Sequence, residues 1–179
     1  MGVRMNHLYD RMRHPEAFRV AEETGAAPDL HALEGHKYCL LVTFRRSGKP
    51  VPTPVWFGLA NGAAYVNTRQ DNLKVTRIRH DPHARVAPCS VRGRPLGPVA
   101  EATARLVPDS DRDRAELALR ANYGIGRRIY YAMAGRLEET VYIELRPIGN
   151  DQPVDKAERL TATRTEPNAT SSAGEEGIP

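Results

Sequence analysis

The dipeptide Asn61-Gly62 stands between two segments of strand character, Val51 to Leu59 before it and Ala64 to Val66 after it. A type I′ turn needs positive φ at both central positions, which Asn-Gly tolerates, and its twist matches that of paired strands. This stretch is therefore an antiparallel hairpin, not a strand–helix–strand crossover. The neighbouring pattern extends it. Leu40, Val42 and Phe44 alternate with Cys39, Leu41 and Thr43, which reads as a strand buried on both faces, and Ser47-Gly48 turns it into the Val51 strand.

Further along, Ala84 to Ala87 resume a strand, and Pro88 marks an edge because proline has no N–H for a ladder. Residues 91–98 are a turn-rich link, Val99 to Val107 form a long strand, and Val141, Ile143 and Leu145 form the last, ended by Arg146-Pro147. Asp81-Pro82 closes a helix that Asp71 caps. Asp109-Ser110-Asp111 caps another, from Arg112 to Tyr123, which Gly124 stops before a shorter segment from Ile125 to Met133. Six strands with flanking helices and early hairpins give an α+β, mainly β chain. The expected architecture is a small antiparallel barrel with helices at its side.

At 179 residues the chain is one domain of ordinary composition, 40% hydrophobic and 27% charged. Residues 1–35 read as a helical preamble broken by Pro15, Gly25 and Pro28, residues 36–149 as the barrel domain, and residues 150–179 as a disordered tail poor in large apolar side chains. No apolar run approaches the ~20 residues of a membrane span. The first residues lack a secretory h-region, so the expected location is the cytoplasm. Two cysteines without a CxxC motif, Cys39 and Cys89, fall in strands and read as small buried hydrophobes.

The net charge of +4 conceals an asymmetry. Residues 69–94 hold seven bases against two acids, while residues 151–179 hold three bases against six acids. The basic stretch runs from the strand Tyr65-Val66-Asn67-Thr68 across a polar turn into a helix carrying Lys74, Arg77 and Arg79. A helix start presents free N–H groups and the positive end of the macrodipole. Thr68 and Lys74 are placed to hold a phosphate there. The same residues also suit a solvated basic face on an ordinary helix, and residue types alone allow both. A compact patch without interleaved exposed aromatics favours a discrete anionic ligand over nucleic acid.

Pro52 and Pro54 put the second strand at an edge or in a bulge, with Val55, Trp56 and Phe57 as an apolar wall beside it. The alternatives are an exposed backbone that meets a ligand and an edge blunted against aggregation. His80 and His83 flank a helix end without a second ligand pair and read as surface histidines. Glu101 lies in an apolar strand, where pairing with an arginine outweighs a role as an acid. Tyr123, Tyr130 and Tyr131, near Arg127 and Arg128, could line a pocket for a planar ring or simply cover the barrel end. No nucleophile elbow, Walker loop, dinucleotide fingerprint or HExxH occurs. No catalytic residue or metal ligand is assigned, so an enzyme of this kind would depend on a bound cofactor.

The ordered set Leu40-Leu41-Val42-Thr43-Phe44-Arg45-Arg46-Ser47-Gly48, Pro52-Thr53-Pro54-Val55-Trp56-Phe57, Tyr65-Val66-Asn67-Thr68, Lys74-Val75-Thr76-Arg77-Ile78-Arg79, Val86-Ala87-Pro88-Cys89 and Arg92-Gly93 resembles one family. It is that of the split β-barrel flavin and deazaflavin oxidoreductases related to pyridoxamine 5′-phosphate oxidase, over about residues 36–148. The closest likeness is to the actinobacterial branch described as F420-dependent. The resemblance implies a six-stranded split β-barrel of the FMN-binding type and a homodimer with two cofactor sites at the subunit interface. The cofactor would be coenzyme F420, or alternatively FMN, and the reaction hydride transfer to a small organic substrate, although some members bind cofactor without known turnover. By position, Thr53, Pro54, Val55 and Trp56 would border the ring and Pro88 and Cys89 would flank it. Asn67, Thr68 and Lys74 would take the phosphate, with Arg77 or Arg79 as a further cation. One departure stands out. The branch often has Ser-Gly just before the phosphate lysine, and here the pair is Asn72-Leu73, which forbids close backbone approach wherever Leu73 must adopt a positive φ.

Overall fold

The structure, a computed structural model, describes residues 14–124 and 140–149. The tail from residue 150 and the segment Ile125 to Met133, with Arg127, Arg128, Tyr130 and Tyr131, lie outside the described residues. Seven strands form one sheet: β1 (Tyr38–Phe44), β2 (Pro50–Trp56), β3 (Gly58–Ala60), β4 (Ala63–Arg69), β5 (His83–Cys89), β6 (Ala100–Leu106) and β7 (Thr140–Pro147). Three α-helices accompany them among the described residues: α1 (Glu16–Glu22), α2 (Leu73–His80) and α3 (Arg112–Tyr123). Single 3-10 turns cover His31–Leu33 and Asp109–Asp111.

The sheet order is β2-β1-β5-β6-β7-β4-β3, and every pairing between these strands is antiparallel. Its two edge strands, β2 and β3, are consecutive in the chain and separated only by Phe57. A single residue can join opposite edges of a sheet only where the sheet has curled until they meet, because one residue spans about 3.5 Å at most. The β2 and β3 edges are not laddered to each other. The result is a mainly β half-barrel that is split along that line.

The strand count of seven, rather than six, has the same origin. The segment expected to run as one strand from Val51 to Leu59 breaks at Phe57. Its first part pairs with β1, whereas Gly58 to Ala60 pair with β4 through the Asn61-Gly62 hairpin. Asn61 and Gly62 have φ of 52° and 70°, the pair of positive values a type I′ turn requires. Pro52 and Pro54 do lie in an edge strand. Pro88 does not, because β5 lies between β1 and β6. It is accommodated because the β5–β6 ladder ends at Val86 opposite Ala100, before proline would have to donate.

The inner face carries the main core, with Cys39, Leu41, Val66, Val86, Ile143 and Leu145 among its buried members and Ile78 of α2 contributing from one end. Outside, α1 sets Ala17, Val20 and Ala21 against Leu40, Val42, Phe44 and Ala87. On the other flank α3 sets Ala115, Ala118 and Leu119 against Ala63, Tyr65 and Tyr142. The last contact is very close. A Cβ on Gly58 would lie 2.1 Å from the Ala118 carbonyl oxygen, so only glycine lets α3 rest on the strand backbone. No helix among the described residues is long and apolar enough to cross a membrane.

Candidate functional site: the start of α2

Strand β4 alternates Ala64 and Val66 into the core, and the same alternation carries Thr68 to the inner face, where it is buried. The chain then turns and enters α2. Asn72 caps the helix, its side chain accepting from the Lys74 N–H at 3.1 Å. The cap is thus Asn72 and not Asp71, because Asp71 is engaged by Arg69 at 2.9 and 3.0 Å. Asn72 has a φ of −71° and Leu73 does not fall in the left-handed region. Leu73 is 56% exposed and begins the helix in ordinary geometry. The Asn72-Leu73 pair therefore needs no glycine here.

Val75 and Ile78 face the core and hold α2 down. Lys74 is consequently only 7% exposed, and its ammonium donates to Thr68 Oγ1 at 3.2 Å. One turn on, Arg77 Nε donates to Thr43 Oγ1 at 2.7 Å, and Thr43 is 1% exposed in β1. Two cations three residues apart on one helix are each matched to a threonine hydroxyl from the barrel. A buried ammonium beside a hydroxyl and a capped helix start form a donor set suited to an anionic oxygen. Arg79 lies on the exposed side of the helix.

The other candidate residues sit further along the barrel. In register, Cys39 pairs with both Val55 and Pro88, and Leu41 pairs with Thr53. Since Cys39 and Leu41 point into the core, Thr53, Val55 and Pro88 share the inner face. Pro54, Trp56, Cys89 and Asn67 alternate to the outer face. Cys89 is buried under α1, where desolvation pushes its thiol up to about 12, and burial also raises the Cys39 thiol well above its usual value. Neither is a ready thiolate. Trp56 stacks on Tyr123 at 4.6 Å and meets Tyr38 edge-on at 6.5 Å. The structure thus gathers Thr68, Asn72, Lys74 and Arg77 at one end of the barrel. Val55 and Pro88 lie on its inner face toward the other, four residues along β1 from Thr43 to Cys39, or about 13 Å, with Thr53, opposite Leu41, halfway between.

Three features do not follow from the local sequence. Thr43 reads there as an ordinary strand residue, yet its hydroxyl receives Arg77. The Tyr123 hydroxyl accepts from Phe57 N–H at 3.1 Å and donates to the Lys37 carbonyl, locking α3 in place. Glu144, fully buried in β7, receives Tyr65 Oη at 2.9 Å, Arg146 Nη2 at 2.9 Å and Arg105 Nε. Burial drives its carboxyl upward, but these three donors outweigh burial and leave its pKa below the ordinary value. The pattern Tyr142, Glu144, Arg146 between Ile143 and Leu145 was the available signal. Glu101 follows the same logic as a paired carboxylate. Burial raises it, while Gly25 N–H, His83 and Arg85 together outweigh burial and hold its carboxyl below the ordinary value as a paired carboxylate.

With this geometry in place, the comparisons with known proteins agree on the architecture. The family model described as pyridoxamine 5′-phosphate oxidase matches residues 29–147, well over half of the chain. The chain belongs to that family. No curated protein matches it in sequence. Among solved structures it is similar to the protein Atu2129, of unknown function, from Agrobacterium tumefaciens (20% identity, 74% of this chain and 53% of that one, TM-score 0.53). A heme binding protein from Mycobacterium smegmatis is similar at 17% identity over 75% of this chain and 52% of that one, with a TM-score of 0.51. The conserved hypothetical protein Rv2991 from Mycobacterium tuberculosis is similar at 14% identity over 70% of this chain and 86% of that one, with a TM-score of 0.50. At these identities the solved structures speak for the fold alone. The pyridoxamine 5′-phosphate oxidase family binds flavin-type cofactors and includes oxidoreductases.

Proposed function

We propose that the chain is a cytoplasmic oxidoreductase that uses reduced coenzyme F420 and acts on a small organic substrate as a homodimer with its cofactor sites at the interface. The observation that carries this reading is Lys74, an almost fully buried ammonium beside the Thr68 hydroxyl at a capped helix start. An almost fully buried ammonium beside a hydroxyl and the positive end of a helix is a donor set that suits a phosphate. When bound, the deazaflavin would supply a hydride. The chain's own residues bind and orient. Lys74 and Thr68 hold the phosphate, Arg77, set by Thr43, adds positive potential, and the half-buried β2 edge from Thr53 to Trp56 borders the ring. Prolines at 50, 52 and 54 strip N–H donors from an edge strand, which also protects that edge from pairing with other chains.

The test is a parallel titration of the purified protein with F420 and with FMN. Saturable quenching of F420 fluorescence is expected, and Lys74→Ala should weaken it by about tenfold or more, the loss of one charge-assisted hydrogen bond. FMN that copurifies without saturable F420 binding would replace this reading with an FMN-dependent oxidoreductase. Binding without reoxidation of the reduced cofactor across a substrate panel would make the protein a non-catalytic carrier.

A further inference from the structure

We propose that the acidic segment 151–179 folds back on its own chain and covers a cationic rim at the α2 end of the barrel. The rim consists of Arg45, Arg46 and Lys49 on the β1–β2 turn and Arg79 on α2, all of them exposed. Among the described residues none of these four side chains has a hydrogen bond or an ion pair. Elsewhere Arg19, Arg105, Arg112, Arg114, Arg120 and Arg146 each face an acid. Arg92, also without an acid, follows the far end of β5 and lies away from the rim.

Two contacts make the rim one surface. Arg77 Nε reaches Thr43 Oγ1 at 2.7 Å, and the Phe44 and His83 rings stack at 4.8 Å. The turn that follows Phe44 therefore stands beside the end of α2 that precedes His83. Within the turn the Arg45 N–H donates to the Lys49 carbonyl at 3.0 Å, which sets these two cations opposite one another. Like charges held opposite repel, and an acidic partner relieves them. Asp81, the acid nearest to Arg79 in sequence, accepts instead from the His83 N–H at 3.0 Å.

The chain itself carries acids to this place. Strand β7 ends at Pro147, and the Ile148 N–H donates to the Glu101 carbonyl at 2.9 Å. The Glu101 carboxylate is bonded in turn to His83 Nε2 at 2.6 Å, and His83 carries the Phe44 ring. In the sheet β6 lies two strands from β1, a separation of about 10 Å. Asp151, Asp155 and Glu158 follow Ile148 by three, seven and ten residues. At about 3.5 Å of reach per residue, that brings all three within range of the rim. Segment 151–179 holds six acids against three bases, opposite in sign to the rim. Exposed ion pairs are weak one by one. A tethered partner is nonetheless present at an effective concentration of about millimolar, which a separate acidic protein or nucleic acid would have to exceed. Once covered, the rim is closed to other polyanions.

The test joins amines to the carboxylates that touch them. The full chain is treated with a water-soluble carbodiimide at low salt, and the amide links are mapped by mass spectrometry. Lys49 is expected to link to Asp151, Asp155 or Glu158, with a yield independent of protein concentration. Lys37 is the control: it lies seven residues before Phe44, about 23 Å along β1, and should not link to the segment. Arg45→Ser with Arg46→Ser, both at exposed turn positions, should lower the Lys49 yield by about fivefold or more. Arg79→Ser should lower it from the helix side. A full chain carrying Asp151→Asn, Asp155→Asn and Glu158→Gln should bind heparin, the probe for other polyanions, about tenfold more tightly. Adding the two turn serines to it should abolish that gain. The cofactor takes no part, so failure here is distinct from failure of the F420 reading. No Lys49 link, an equal link to Lys37, a yield that falls on dilution, or an unchanged heparin affinity would overturn the proposal.

Discussion

Two helices are fastened to this barrel, and their fastenings differ in kind. At the start of α2 the ties are local and cationic. Asn72 caps Lys74, Lys74 reaches Thr68, and Arg77 crosses to Thr43 on a distant strand. At the end of α3 the ties are distant and nearly all mutual. Asn122 and Tyr123 engage residues 36, 37 and 57, and Trp56 closes over Tyr123. Lys37 completes the lock by donating to the Asn122 carbonyl and, at 3.1 Å, to its side-chain oxygen. One region collects positive charge beside hydroxyls, a chemistry that looks outward to an anion. The other satisfies amides with carbonyls and a ring with a ring, a chemistry that holds a shape. Positive charge is concentrated at one helix and backbone fastening at the other.

The sharpest way to break the α3 side is Gly58→Ala. The added Cβ would meet the Ala118 carbonyl at 2.1 Å and the Leu119 nitrogen at 2.5 Å, both helix backbone that cannot swing aside. The expected loss is about 3 kcal/mol or more in urea unfolding, at the top of the range for overpacking. A loss below about 1 kcal/mol would mean that α3 is not seated on the strand.

Glu144 ranks next. Glu144→Gln keeps the size but removes the charge that two arginines and Tyr65 address, and should cost about 2 kcal/mol at neutral pH. Half-exposed arginines can rehydrate, which holds the figure down. The sign with pH follows from its lowered pKa. The unfolded chain binds the proton more tightly, so the contribution is complete above the unfolded value of about 4.3 and disappears as pH falls through the lower folded value. The gap between Glu144→Gln and the unmodified chain should therefore narrow on acidification below about pH 4. A gap that stays constant down to full acid unfolding would show that Glu144 is not held ionised.

The same contrast explains what sequence could reveal. The hairpin at Asn61-Gly62, the prolines of an edge strand and the Thr68–Lys74 pair were legible because each depends on neighbours within a few residues. Seven strands were not, since the break at Phe57 is set by which distant strand each half pairs with, and its one local mark, Gly58, reads equally as a bulge or a close backbone approach. Pro88 misled for a related reason. Proline reports a missing ladder bond, and β6 simply diverges beside an interior strand at that point. The α3 lock was invisible because its parts lie 65 or more residues apart and involve backbone carbonyls, which have no sequence signature.

The smallest effect tests the α2 side at its most local point. Asp71 reads from sequence as the cap because aspartate is among the preferred N-cap residues. In the folded chain Asp71 turns to Arg69, and burial is too slight to resist the arginine, which lowers the Asp71 pKa. The Lys74 N–H is left to Asn72. Asn72→Ala should then cost about 1 kcal/mol, as the loss of an N-cap does, and should loosen F420 binding because Lys74 sits on the turn that the cap fixes. Asp71→Ala should leave the melting temperature where it is, and should not weaken the binding of an anion. Were the two variants to exchange these outcomes, Asp71 would be the working cap. The first turn of α2 would then be arranged differently from the turn that now buries Lys74 against Thr68.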